Sequence, residues 1–239
     1  MMKKRSVFYF CFSAFLLFSC QKKDVIVLEG DIRGGDGKYV YFSKLDQEQL
    51  VLLDSVKIKN GKFSVSLPTK DAEPAFYQIG LSNENALMTL ARRGEKIHFS
   101  ADADDIIAHY SVSGADDAVK MCDLDRQLRL FIDSTDYLLS IYQSADDDSI
   151  HAEIERCYNS LKIHHANFLR SFIKNNSQSL VAMIAFYQKY NNAHFFAEKE
   201  DGELLQFIYN SLQKVYPNNE YVHWLKKRIA DDQLATNQQ

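Results

Sequence analysis

The sequence predicts an α+β protein: an N-terminal antiparallel β-sandwich followed by an all-α helical domain of about five helices. The contrast between its two halves predicts this. Eight of the nine glycines lie at or before Gly114, and Pro68 and Pro74 lie there too; beyond Gly114 only Gly202 and Pro217 occur. Turn formers between short alternating runs mark strands, and long uninterrupted stretches with apolar residues every three or four positions mark helices.

Taken in order, Val25–Ile32 alternates apolar and polar residues. Gly34-Gly35-Asp36-Gly37 is a turn before the β-rich Tyr39-Val40-Tyr41-Phe42. Leu50–Ile58 and Phe63–Leu67 flank Asn60-Gly61, the pair that suits a hairpin turn with both central residues at positive φ. Phe76–Leu81, Ala86–Ala91, Ile97–Phe99 and Ile106–Val112 complete a sandwich over residues 25–113, each strand with one polar face.

In the second half, Met121, Leu124, Leu128, Phe131, Thr135, Leu138 and Tyr142 form one helical stripe. Ser144-Ala145-Asp146-Asp147-Asp148-Ser149 breaks it, and Ile150, Ile154, Cys157, Leu161, His164 and Phe168 repeat it, which makes an antiparallel helix hairpin. Ser177-Gln178-Ser179 caps a third helix, Asp201-Gly202 opens a fourth, and Tyr216-Pro217-Asn218 separates it from a fifth. The helical domain spans residues 114–230, and residues 231–239 read as a disordered polar tail.

Residues 1–19 have the pattern of a lipoprotein signal peptide. Lys3, Lys4 and Arg5 precede an apolar run from Val7 to Phe18, too short for a spanning helix of about 20 residues. Leu17-Phe18-Ser19-Cys20 resembles a bacterial lipobox, with Cys20 as the lipidated residue and residues 20–24 as its tether. Two or more acyl chains give stable anchoring. The expected location is the cell envelope, lipid-anchored to the outer membrane at its periplasmic face or at the cell surface. The single acid Asp24 and two lysines give the tether a faint likeness to surface-export signals of Bacteroidota lipoproteins.

Without residues 1–19 the chain holds 25 basic and 32 acidic residues, a formal charge of −7. An acidic chain without a basic cluster is a poor nucleic-acid binder. The chemistry-bearing candidates are weak. Adjacent His164 and His165 point about 100° apart on a helix and do not chelate one ion, so His164 on the apolar stripe reads as a core-edge histidine. Asp146-Asp147-Asp148 and Asp102-Ala103-Asp104-Asp105 lack the glycine and distal glutamate of a calcium loop, and read as solvated helix starts. No Gly-x-Ser-x-Gly occurs. Neither catalytic residues nor cofactor, metal or disulfide sites are expected. In the hairpin Cys122 and Cys157 lie roughly 20 Å apart, beyond disulfide reach. Tyr39, Tyr41, Phe42, Phe76 and Tyr77 suit either a ligand-binding face or sheet core, with core favoured.

The order of motifs resembles the N-terminal region of Bacteroidota thioredoxin-like lipoproteins of the thiol–disulfide oxidoreductase type. The residues that carry the likeness are Gly30-Asp31-Ile32, Gly37-Lys38-Tyr39-Val40-Tyr41, Asp54-Ser55-Val56, Asn60-Gly61-Lys62-Phe63, Pro74 with Tyr77, Arg93-Gly94-Glu95-Lys96-Ile97 and Val112-Ser113-Gly114. Phe172-Ile173-Lys174-Asn175-Asn176-Ser177 with Ser179-Leu180 resembles the family's helical segment. The resemblance implies a β-sandwich of unknown function and a helical segment, followed in the family by a thioredoxin-like domain with Cys-x-x-Cys. These 239 residues hold no Cys-x-x-Cys. Two-thiol exchange needs an attacking and a resolving cysteine within reach, so the family's activity is not expected of this chain. The expected role is a non-enzymatic binding or scaffolding module, anchored to the membrane, with a protein partner or as a homodimer. The alternatives are a remnant or partner subunit of a thioredoxin-like oxidoreductase, and a surface glycan- or peptide-binding lipoprotein.

Overall fold

A computed structural model describes residues 24–236 except 47, 48 and 71, with side chains to residue 231. The chain runs β1 (Val25–Arg33), β2 (Tyr39–Asp46), β3 (Gln49–Lys57), β4 (Lys62–Pro68), β5 (Ala75–Gly80), β6 (Ala86–Ala91), β7 (Lys96–Asp102) and β8 (Ser111–Ser113). Then follow α1 (Asp116–Ser144), α2 (Asp148–Asn175), α3 (Val181–Phe186), a small hairpin of β9 (Lys189–Tyr190) and β10 (Ala193–His194), α4 (Gly202–Val215) and α5 (Glu220–Thr236). The expected α+β architecture is present: two sheets, then five helices. The stretch read as a polar tail is helical as far as Thr236, and its last three residues lie outside those described.

The sheets have strand orders β4-β1-β7-β8 and β3-β2-β5-β6. Between them sits a core fed by strict alternation: Ile26, Leu28 and Ile32 of β1, Phe63, Val65 and Leu67 of β4, and Val40 and Phe42 of β2. The rings of Phe42 and Phe63 meet across the sandwich at 5.7 Å. Gly30 makes room for Phe63. A Cβ there would stand 2.3 Å from the carbonyl oxygen of Phe99 and 2.8 Å from the Phe63 ring.

Pairing departs from the expected all-antiparallel sandwich at one place: β1 and β7 are parallel. Between them the chain leaves for the other sheet and returns in the same direction, the long crossover that parallel pairing needs. Asn60 and Gly61 both take positive φ, 54° and 73°, as the turn chemistry predicts. The strands they join do not form a ladder, however. Only Lys59 and Lys62 bridge, and β3 and β4 belong to different sheets, so this turn is the corner of the sandwich.

The last strand is also shorter than expected. Asp105 accepts hydrogen bonds from the N–H groups of Ile107 and Ala108, which folds that stretch into a turn and leaves β8 only three residues. Asp102 sits at the end of β7, paired with Arg33 of β1 through two short hydrogen bonds. Asp102–Asp105 is therefore a strand end and a turn, not a helix start. Asp147 does cap a helix, accepting from the N–H of Ser149 at the start of α2.

One polar face per strand fails for two strands, β5 and β6, which are buried almost throughout. Helices cover that half of the second sheet: α1 packs along β6, and α5 meets β5, with the Tyr221 ring edge-on to Phe76 at 4.9 Å. Among the described residues nothing covers the other half of the same face, and β3 is exposed along nearly its whole length. The buried apolar residues of both halves form one continuous cluster, from Ile26 to Leu225.

Thr89 of β6 is buried opposite Tyr77, and its hydroxyl finds no hydrogen-bond partner among the described residues. An unsatisfied buried hydroxyl costs about 1–3 kcal/mol. Thr89→Val, which keeps the shape and removes the polar atom, is expected to raise unfolding stability by about 1 kcal/mol in urea titration. A loss of stability would show that the hydroxyl is satisfied.

Candidate binding groove

The side chains that converge on a concave surface lie where the helices leave the second sheet. Short α3 is almost wholly buried, and Ser179 fixes its start. Its Oγ accepts from the N–H of Val181 and donates to Oδ1 of Asp117 at the foot of α1. Pinned there, α3 places Met183 and Ile184 opposite Leu45 of β2 and Phe76 of β5. Tyr221 and Trp224, three apart on α5, close the other side. The groove measures about 630 Å³. Its walls are overwhelmingly apolar, with Glu220 and Lys227 at the rim. Glu220 also pairs with Lys44 at 3.5 Å.

The floor is held by buried hydrogen bonds between distant parts of the chain. The Tyr221 hydroxyl donates to the carbonyl of Leu45 (2.6 Å) and accepts from the N–H of Phe76 (3.3 Å). Burial pushes its pKa up to about 12, so it stays a neutral donor. Asn219 donates through Nδ2 to the carbonyl of Pro74, and its Oδ1 accepts from the N–H of Tyr221.

Tyr187 and Trp224, edge to face at 5.4 Å, divide this groove from a second, more polar hollow of about 680 Å³. Glu198 organises that hollow. It accepts from the Tyr187 hydroxyl at 2.7 Å and from Arg228 through both Nε and Nη2, while the Arg228 guanidinium lies over the Trp224 ring. Burial and Glu198 together raise the Tyr187 pKa, so this hydroxyl too remains protonated. The arrangement can enclose an apolar group on one side of the Tyr187–Trp224 partition and meet polar groups on the other.

Of the residues singled out in the sequence, Cys20 lies outside the described residues. Phe76 lines the groove. Phe42 and Tyr77 are sandwich core, and Tyr39 and Tyr41 are exposed on β2. The histidine pair is reversed: His164 is exposed and His165 is the buried one. The hairpin is rotated relative to the predicted stripe, because Leu169 and Ile173 turn α2 toward α3, and with them His165. The His165 ring packs between Phe131 and Phe195, with Nε2 2.7 Å from Oε1 of Gln188. Cys122 is buried with its thiol toward the carbonyl of Tyr110, and burial raises its pKa; Cys157 is half-buried, and both are free. Beside Cys122 the Tyr110 hydroxyl donates to Asp125 at 2.5 Å, and burial raises the pKa of that carboxyl. Among the described residues no three His, Cys, Asp or Glu side chains are placed to hold a metal ion. Tyr187 and Trp224 were expected on helices but, like Tyr221, not at a site, although the single Trp three positions after a Tyr on one helix face was a visible signal.

Residues 26–121 match the family model of a domain of unknown function, DUF4369. A DUF4369 domain therefore makes up the β-rich half. It takes in β1–β8 and the first turns of α1, ending at Met121, which is buried against the sheets. The groove lies only partly within it: Leu45 and Phe76 belong to the DUF4369 domain, and α3 and α5 supply the rest. No curated protein matches the chain. No helix among the described residues is long and apolar enough to cross a membrane.

Burial holds the pKa of His165 below the ordinary histidine value. As pH falls through about 6.5, the unfolded chain takes up a proton that the folded ring resists, so this group's contribution to stability falls. Melting temperature is expected to drop between pH 7.5 and 5.5. His165→Asn, which keeps a polar partner for Gln188 without titrating, is expected to flatten that drop. An unchanged pH slope in the variant would contradict the assignment.

Proposed function

We propose that this protein is a non-enzymatic binding module of the cell envelope, held at the membrane by lipid on Cys20 and using the groove to capture an apolar part of a protein partner. The groove carries the reading. Its apolar walls join two parts of the chain, and aromatic side chains held by buried hydrogen bonds give a pre-formed surface with little ordering cost on binding. The basic residues, apolar run and lipobox-like Leu17-Phe18-Ser19-Cys20 support export and anchoring. The order of motifs from Gly30-Asp31-Ile32 to Ser179-Leu180 supports kinship to the N-terminal region of Bacteroidota thioredoxin-like lipoproteins, which it resembles. That kinship favours, as a second reading, a subunit that works beside a separately encoded thioredoxin-like protein.

Crosslinking and pull-down of the full-length protein from envelope membranes tests the proposal. Cys20→Ala is expected to move the protein out of the lipid-modified membrane fraction. Trp224→Ala, and Ile184→Trp, which fills the groove from its rim, are expected to stay in the membrane and lose the partner about tenfold, roughly 1.4 kcal/mol. Undiminished capture by both groove variants would contradict the groove as the binding site. Membrane retention of Cys20→Ala would contradict the anchor.

A further inference from the structure

β3 ends its sheet, so among the described residues one side of its backbone has no neighbouring strand. Its first half reads Gln49-Leu50-Val51-Leu52-Leu53, and the four apolar side chains are exposed by 46, 45, 60 and 44 %. Soluble proteins usually blunt an exposed edge with lysine, proline or a covering element. The other edges here follow that rule. β6 is covered by α1, β4 carries Lys62 and Pro68, and β8 has three residues and packs against α1. Among the described residues nothing of the kind protects Gln49–Leu53.

We propose that this edge pairs with the same edge of a second copy of the chain, antiparallel about a two-fold axis, joining two four-stranded sheets into one. Sequence and geometry restrict the register. A two-fold perpendicular to a sheet sets residues of the same parity opposite one another. Centred on Val51, the pairing sets Val51 against Val51 and Leu50 against Leu52, apolar on apolar, with Gln49 against Leu53 at the ends of the segment. A centre moved to Leu52 or Leu53 carries the pairing across the irregularity at Leu53 and brings Asp54 into the apolar segment. The ladder with β2 shifts between Phe42 and Ser43 and leaves Leu53 as the extra residue, so the regular run on β3 is the segment that the Val51-centred register uses.

The face of the sheet continues the match. Leu52 pairs with Ser43 of β2, and the exposed Tyr41, two residues before Ser43, shares that face. With Leu50–Leu53 and Tyr39, this surface offers on the order of 500 Å² per copy, about 1,000 Å² for a pair, the lower bound of a specific interface. This pairing does not depend on what occupies the groove.

Disulfide crosslinking of the full-length protein in its own membranes tests the inference. In a Cys157→Ser background, single cysteines replace Gln49, Leu50, Val51, Leu52, Leu53 and, on the opposite sheet's edge, Ser64. Each sample is oxidised with copper phenanthroline and compared with the background protein. The expected result is a product of twice the chain mass in more than half the molecules at Val51→Cys, several-fold less at its neighbours, and none above background at Ser64→Cys. Separately, Val51→Lys is expected to shift the native mass of the solubilised protein from dimer to monomer. No doubled product at Val51→Cys, equal yields at all positions, a product with another protein's mass, or a dimer that survives Val51→Lys would each overturn it.

Discussion

One hydroxyl fixes where α5 lies on the second sheet. The Tyr221 side chain, projecting from α5, bonds backbone groups of two neighbouring strands, the carbonyl of Leu45 on β2 and the N–H of Phe76 on β5. Those atoms are 176 and 145 residues away in the chain. Each such bond contributes only about 1 kcal/mol net. Its importance is geometric, because apolar burial is non-directional and does not by itself choose where a helix lies on a sheet. The Tyr221 hydroxyl and the Asn219 side chain do choose, and the ring of Phe76 fills the space they define.

That docking and the packing of α1 along β6 set the molecule apart from a plain sandwich. Helices lie on one half of the second sheet's outer face, so β5 and β6 are buried on both sides. Among the described residues nothing covers the other half, and β3 is an exposed edge. The groove opens along the border between the covered and uncovered halves, where Leu45 and Phe76 meet Tyr221 and Trp224. It exists because the DUF4369 domain and the helices share a core, and it would not survive as a property of either half alone.

The sequence made the elements legible and left their partners hidden. Local chemistry shows through: Asn60-Gly61 adopts the predicted positive φ values, Asp147 caps its helix, and the stripe of α1 buries Met121, Leu124, Phe131 and Thr135. What failed was non-local. The same Asn60-Gly61 turn proved to be a corner between sheets, since a turn fixes direction over four residues and says nothing of what lies beside the strands. The parallel pairing of β1 with β7 depends on a crossover through the opposite sheet. His165 and not His164 is buried because α2 rotates to meet α3, a contact with no local signature. The groove was illegible for the same reason: its residues are scattered from Leu45 to Lys227.

Native-state hydrogen exchange tests most directly whether the halves form one cooperative body. The slowest amides of β1 and β7 and those of α4 and α5 should report a single opening free energy. Tyr221→Phe, which removes one hydroxyl, should lower both sets equally, by about 1–2 kcal/mol. A helical half that opens at lower free energy while the sheets stay protected, or a Tyr221→Phe effect confined to α5, would contradict the claim that this docking holds the structure together.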